Sequence, residues 1–336
     1  MSFGYFLFWL FFNCGTASPV KFPRPKGEAQ RGRGLTQKEI KPRSRGGAFF
    51  KQKRFGLWLL NIYITLSSSS LYMIINQEEG RTFGKISSLY DRARISYPAK
   101  LIDDIVNYSG IGQEGTILDV GCGTGQATLL FAQKGYRVIG LDISQEMINI
   151  AKEKCSSFPK VSFRVGTFED VDFSNASLDI ITSGMAWHWI KPEGREEKAH
   201  RILKSGGTLA LFWSYQRKEE SDFVKAVGII LDKYGGVDRG PAGSKVRQIS
   251  DTLHDEFMRN LAFTSVEIRE YDEDFEFSKD RYLDLVVSYG WVQGLPEEKR
   301  RELTRDLRES YKKYEEPLLI PYRYVLLLAK KSQSPV

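Results

Sequence analysis

Apolar and polar positions fall into two regimes along the chain, with the change near residue 116. Downstream, short apolar runs alternate with amphipathic stretches, the pattern of buried strands joined by helices. Thr116 to Val120 predicts a first buried strand ending on glycines, and Gly125 to Lys134 a helix closing on Gly135. Arg137 to Leu141 predicts the second strand, and Ser144 to Lys154 the second helix, with Ser144 as its N-cap. Strands follow at Val161 to Val165, Leu178 to Thr182 and Thr208 to Trp213. Between the last two, a helix is predicted from Pro192 to Leu203. Proline suits its first turn and Gly206-Gly207 supply its stop. The final third predicts helices near 219–234, 246–260, 279–289 and 296–314, and strands at Ser265 to Tyr271 and Tyr322 to Leu328. In the 296–314 helix, Leu303, Leu307, Tyr311 and Tyr314 share one face, and the balanced charges elsewhere predict a solvated, ion-paired surface. Alternating strands and helices imply an α/β fold with a parallel sheet covered on both faces.

Upstream the pattern differs. Tyr5 to Phe12 is a short apolar run without a preceding Lys or Arg, and Pro19 is a poor residue to follow a cleavage site. Residues 21–47 are rich in Pro, Gly and Arg, a composition of disordered chain. A second run without charge, 55–75, follows Lys51-Gln52-Lys53-Arg54 and is long enough to cross a bilayer. Asn61 and the Ser67–Ser70 tract weaken it. Three readings of residues 1–72 stay open: a non-native extension ahead of a start at Met73, a membrane anchor through 55–75, or a disordered or targeting tail. The domain itself is assigned to 73–336.

Charge sharpens this division. The chain of 336 residues carries a net +7, but residues 1–72 hold twelve Lys and Arg against Glu28 and Glu39. Residues 73–336 hold 37 basic and 40 acidic residues, so the domain is slightly acidic. It has no excess of positive charge for a phosphate backbone, and nucleic acid is not expected as a partner. Three widely spaced cysteines, Cys14, Cys122 and Cys155, give neither a disulfide framework nor a zinc pattern. The expected compartment is reducing and cytoplasmic, with membrane attachment only if 55–75 is a span.

The candidate chemistry lies at the first strand-to-helix turn, Gly121-Cys122-Gly123-Thr124-Gly125. A helix N-terminus offers unpaired N–H groups, and glycines let a ligand approach the backbone closely. The spacing is G-x-G-x-G, whereas the dinucleotide fingerprint is G-x-G-x-x-G. Asp119 lies in the strand two residues before the first glycine. A carboxylate there repels a pyrophosphate and suits a ligand with an ammonium and a sulfonium. Asp142 ends the second strand, 21 positions after Gly121, where this kind of fold places an acid for two ribose hydroxyls. The third strand ends in Gly166-Thr167-Phe168-Glu169, on the side where an adenine would sit. Taken singly, each acid also reads as a strand-end bond acceptor, a helix cap or a solvated loop acid.

The run from Thr116 to Lys154 resembles the cofactor-binding segment of class I S-adenosylmethionine-dependent methyltransferases. Tyr90 to Pro98 and Ser183 to Trp213 resemble the small-molecule branch that includes trans-aconitate methyltransferase-like enzymes (methyltransferase type 11). The likeness is good over 80–214 and looser to the end, where Leu318 to Lys331 looks like the closing strand. It implies a Rossmann-like, doubly wound, seven-stranded sheet with the last strand antiparallel and helical cap insertions. It implies S-adenosyl-L-methionine as cofactor, with Gly121, Gly123 and Gly125 at the methionine part and Asp142 and Ile143 at the ribose. Thr167, Phe168 and Glu169 would stand near the adenine, Met185 and Ala186 would close over the cofactor, and Tyr90 and Arg94 would reach its carboxylate.

Methyl transfer from a sulfonium asks the protein mainly for alignment and exclusion of water, and for a base only if the nucleophile must lose a proton. His188 is the candidate base; its plainer reading is packing between Trp187 and Trp189. Trp187, Trp189 and Tyr215 are the candidate acceptor-site residues; a cap from the N-terminal helix and residues 215–290 would add Tyr289 and Trp291 to the lining with Tyr215, and Trp187, Trp189 and Tyr90 suit cation–π contact with a sulfonium. The segment after the fourth strand lacks the Asn/Asp-Pro-Pro-aromatic pattern of base-amino methylation, and no Pro-Cys nucleophile is present. The expected acceptor is therefore a small molecule. Competing readings are an NAD(P)-dependent oxidoreductase on a similar sheet, which Asp119 and the glycine spacing disfavour, and a non-catalytic cofactor-binding module.

Overall fold

The computed structural model describes residues 86–236 and 263–332. Seven strands form one sheet: β1 (Thr116–Val120), β2 (Arg137–Asp142), β3 (Val161–Val165), β4 (Leu178–Gly184), β5 (Leu203–Gln216), β6 (Phe263–Phe277) and β7 (Leu318–Lys331). Their order is β3-β2-β1-β4-β5-β7-β6. Neighbours from β3 to β5 are parallel, and β7 runs antiparallel to both β5 and β6. The strand order reverses between β1 and β4. In an open α/β sheet, the helices leaving two such strands depart to opposite faces and leave a crevice at the carboxyl ends.

Alternation along the strands builds two cores, one on each face. Ile117, Ala210, Phe212, Leu326 and Leu328 face one side, with α2 (Ala99–Ser109), α3 (Gln126–Gln133) and the helices of the C-terminal third. Those helices are α6 (Asp222–Lys233), α7 (Lys279–Val287), α8 (Gly290–Gln293) and α9 (Glu297–Tyr311). Leu118, Leu209, Leu211, Trp213, Leu327 and Ala329 face the other side, with α5 (Arg195–Ile202), Phe168 and Trp187. Shifting any of these strands by one residue would exchange its two faces, so the apolar pattern fixes the register. The remaining helices, α1 (Ser87–Ala93) and α4 (Gln145–Lys154), pack beside the crevice.

Several elements depart from expectation for local reasons. The helix expected at Pro192 begins at Arg195, because Gly194 takes a left-handed conformation (φ +81°) directly ahead of it. Gly206 and Gly207 do not stop that helix; they lie inside β5, which starts as soon as the helix ends. A Cβ on Gly207 would stand 2.9 Å from the Lys204 carbonyl oxygen, so the backbone turns tightly there. The strands β6 and β7 outrun the expected segments because they pair with each other from Phe263↔Lys331 to Phe277↔Leu318. Helix α6 starts only at Asp222, where the Ser221 hydroxyl accepts from the Val224 N–H. Ser144 caps α4 as expected, its hydroxyl accepting from the Met147 N–H. The helix expected at 246–260, and everything expected of residues 1–85, lie outside the described residues. Among the described residues no helix is long and apolar enough to cross a membrane.

Helix α9 buries Leu303, Leu307 and Tyr311 and exposes paired charges such as Arg301–Glu297. Exposed pairs of this kind contribute little, so the helix is held mainly by its apolar face. Replacing the fully buried Leu307 with Ala should lower the unfolding free energy by about 2–5 kcal/mol, through lost burial and the cavity left behind. Urea denaturation followed by circular dichroism measures this; a change under about 1 kcal/mol would mean that α9 is not anchored here.

Candidate active site

A cavity of about 260 Å³ opens at the carboxyl ends of β1, β2 and β4, at the reversal of strand order. Its floor is the glycine loop. The Gly121 and Cys122 N–H groups both donate to the Leu141 carbonyl, at 2.7 and 3.0 Å, which binds the loop to the end of β2. Gly121 has φ +67°, and a Cβ on it would stand 2.3 Å from the Ala186 Cβ. Glycine is therefore required twice, by conformation and by close approach. Gly125 (φ +84°) is the N-cap of α3 and packs against Ala151, so it shapes the loop from outside the cavity.

Asp142 is the most connected acid of the site. One carboxylate oxygen accepts from the Gly123 N–H and the other from the Ser144 N–H, each at 2.9 Å. The side chain still lines the cavity beside Ile143. Burial raises its pKa, against the backbone hydrogen bonds from Ser144, Gly123 and Ile143. Each carboxylate oxygen has two lone pairs, so both retain acceptor capacity toward a ligand.

Asp119 sits differently from expectation. It is 1% exposed, lies beneath the loop rather than on the cavity lining, and accepts from the Thr128 hydroxyl at 2.6 Å. Burial pushes its pKa up to about 6, opposed by the bonds from Thr128 and reinforced by the neighbouring Asp142. Its influence on a ligand runs through space rather than through contact.

Thr167, Phe168 and Glu169 line one end of the cavity. Phe168 packs against Trp187, with ring centroids 5.7 Å apart, and lies under the Lys198 ammonium. One Glu169 oxygen accepts from the Lys191 N–H at 2.9 Å, and the Thr167 hydroxyl accepts from the Asp170 N–H. Met185 and Ala186 form part of the wall after β4. Met185 has φ +59°, rare for a side chain with a Cβ, and is held there by its own N–H bond to the Phe212 carbonyl and by its sulfur, which accepts from the Ser214 N–H at 3.0 Å.

Tyr90 and Arg94 reach the cavity from α1 and its end. Arg94 is half-buried, its guanidinium lies 4.5 Å from the Tyr90 ring centroid and 5.5 Å from that of Tyr289, and its buried Nε has no hydrogen-bond partner. Burial opposes its charge, but the phenols of Tyr90, Tyr289, Tyr322 and Tyr97 more than offset this and hold it above the usual range. A cation with a buried spare donor suits an anion.

His188 and Trp189 also line the cavity, their rings 5.2 Å apart. Trp187 does not: it is fully buried in the core with Phe168 and Ile190. Tyr215, on β5, is likewise absent from the lining. Sequence reasoning missed Val120, Leu141, Met147, Gly166, Gly184 and Ile190, which complete the walls. Val120, Leu141 and Gly184 are the last or next-to-last residues of their strands, so strand ends alone could have located them. Met147, in the first turn of α4, gives no such signal. Among the described residues no group of acids, histidines and cysteines could hold a metal ion, and Cys122 and Cys155 are free and buried.

Comparison with known proteins agrees with this geometry. Residues 118–211 match the methyltransferase domain model. An uncharacterized methyltransferase of Schizosaccharomyces pombe is 26% identical over 234 residues, covering 69% of this chain and 88% of that protein. One from Mycobacterium tuberculosis is 25% identical over 228 residues, covering 68% and 84%. The solved structure of a putative type II methyltransferase from Anaeromyxobacter dehalogenans shares the fold at 20% identity and a TM-score of 0.50, over 72% of this chain and 99% of that one. The fold and the glycine-loop cavity are those of a doubly wound α/β domain with its ligand site at the reversal of strand order. More specifically, residues 118–211 are a methyltransferase domain and the chain is similar over two thirds of its length to methyltransferases, which sets aside the nicotinamide oxidoreductase.

The raised pKa of Asp119 has a thermodynamic consequence. An acid with a higher pKa folded than unfolded disfavours the folded state once ionised. Its penalty is absent below about pH 4 and complete above about pH 6. The Asp119→Asn variant, which can still accept from Thr128, lacks this penalty. Relative to it, the ligand-free wild type should lose about 3 kcal/mol of stability between pH 4 and pH 7, for a shift of about two units. Parallel urea titrations at several pH values test this; parallel stability profiles for the two proteins would refute it.

Proposed function

We propose that this cavity binds S-adenosylmethionine and directs its methyl group to a small-molecule acceptor entering beside His188 and Trp189. The carrying observation is the Asp142 carboxylate, fixed by two loop N–H groups while still lining the cavity. It would accept from the two ribose hydroxyls. Thr167, Phe168 and Glu169 would border the adenine. Gly121 and Gly123 would admit the methionine part, and the spare Nε–H of Arg94, beside Tyr90, would meet its carboxylate. Asp119 would balance the ammonium and sulfonium from beneath the loop, and the Trp189 ring would face the sulfonium.

The bound cofactor supplies an activated methyl group that is transferred by in-line displacement. The protein's share is alignment and exclusion of water. Ala186 against Gly121 and the held Met185 give a stiff wall for this purpose. The slightly acidic balance of residues 73–336 favours a small acceptor over a nucleic acid. The activity is assigned to 73–336, with residues 1–72 as an extension that the chemistry does not need.

Titration calorimetry of the full chain with S-adenosylhomocysteine tests the assignment. In Asp142→Asn one carboxylate acceptor becomes an N–H donor, so affinity should fall by about 1–3 kcal/mol, roughly 5- to 150-fold. Undiminished affinity would remove Asp142 from the ribose site. A labelled-methyl screen across carboxylic acids, phenols, amines and lipids then identifies the acceptor.

A further inference from the structure

Given the proposal that the acceptor enters beside His188, the role of this histidine follows from its partner on β5. Trp213 lies on β5 and is fully buried. Its indole N–H, which can only donate, meets the His188 Nδ1 at 3.3 Å. That nitrogen must therefore present its lone pair, and the proton of a neutral imidazole resides on Nε2. Among the described residues Nε2 has no hydrogen-bond partner, and His188 lines the cavity.

We infer that Trp213 locks His188 as the neutral Nε2–H tautomer, so that His188 meets the methyl acceptor as a hydrogen-bond donor and not as a base. The opposite tautomer would set two N–H groups head to head and leave a buried indole N–H without an acceptor, an arrangement that buried polar groups avoid. The imidazolium does the same. Burial, and after it the Arg195 guanidinium, push the His188 pKa down to about 4, so the ring stays neutral at working pH.

A fixed donor selects among nucleophiles. An oxygen has more than one lone pair: one can accept from Nε2–H while another attacks the methyl carbon. A neutral amine has a single lone pair, and a hydrogen bond from His188 would occupy the electrons needed for attack. The acceptor is thus an ionised atom with lone pairs to spare, an oxygen that arrives without its proton rather than a neutral amine. The new O–CH3 bond uses an oxygen lone pair, the S–CH3 electrons leave with sulfur, and no proton has to be removed by the protein. Trp213 acts through His188 and is a positioning residue.

Long-range proton–nitrogen correlation spectra of the full-length, 15N-labelled protein test this directly. The chain has three histidines, His188, His200 and His254, and His188→Gln identifies the signal of interest by its disappearance. The expected result is a protonated Nε2 and bare Nδ1 at pH 7, unchanged down to about pH 5, with and without S-adenosylhomocysteine. A protonated Nδ1, a mixture of tautomers, or an imidazolium at pH 7 would overturn the inference. In the methyl screen, label should enter phenols or carboxylic acids rather than primary amines; methylated nitrogen would overturn it as well. If the screen labels nothing, the tautomer spectrum decides. Failure of S-adenosylhomocysteine to bind would count against the proposed function and leave the tautomer result standing. In Trp213→Phe the His188 signal should change to a tautomer mixture; if that variant does not fold, the wild-type spectrum still decides.

Discussion

The active-site end of this protein depends on one carboxylate that serves two chain segments at once. Asp142 closes β2 with one oxygen on the Gly123 N–H and the other on the Ser144 N–H. The first bond holds the glycine loop that follows β1; the second holds the start of α4. Neither segment has a regular partner there, because loop N–H groups and the first N–H groups of a helix are left over by secondary structure. Satisfying them with an acid makes the floor of the cavity rigid and leaves the remaining lone pairs directed at whatever enters. Hydrogen bonds to charged groups are stronger than those between neutral ones, so this arrangement resists rearrangement.

Much of this was legible in the sequence, for a physical reason. A short parallel strand buried on both faces reads as an apolar run, and Ile117 and Leu118 pack into opposite cores from adjacent positions. The glycine loop was legible because left-handed backbone and close approach both demand glycine, as Gly121 against Ala186 shows. Asp142 was legible because a strand end at that spacing is a fixed place in the fold. Sequence failed where a residue's role depends on which side of a wall it stands. Trp187 and Trp189 are two positions apart; one is sealed in the core against Phe168, and the other lines the cavity. In the irregular turn after β4, no periodicity says which is which. Pro192 was similarly misleading, since a left-handed Gly194 two residues later decides where the helix begins.

His188 is the sharper case. Its neighbours along the chain are aromatic and suggest packing, but its chemistry is set by Trp213, 25 positions away on another strand. A lone histidine in a sequence carries no information about which nitrogen bears the proton. Only the partner at Nδ1 supplies it, and that partner is brought close by the parallel pairing of β4 with β5. The same pairing brings Met185 to Phe212 and Ser214, so one strand neighbour organises both the wall and the histidine.

The charges around the cavity form a consistent set when taken together. Asp119 is buried below the loop with a pKa near 6, Asp142 is half-buried on the lining with a raised pKa, and Arg94 is half-buried on the same lining with an unused donor at its Nε. Each is costly to bury without a partner, and the protein supplies only partial compensation: a hydroxyl for Asp119, backbone N–H groups for Asp142, phenol rings for Arg94. Residual polarity of opposite sign around one cavity is what a zwitterionic ligand would neutralise, its cationic groups toward the acids and its carboxylate toward the arginine. A pyrophosphate ligand would satisfy Arg94 and be repelled by both acids. The glycine loop alone admits either ligand, and the two carboxylates decide between them.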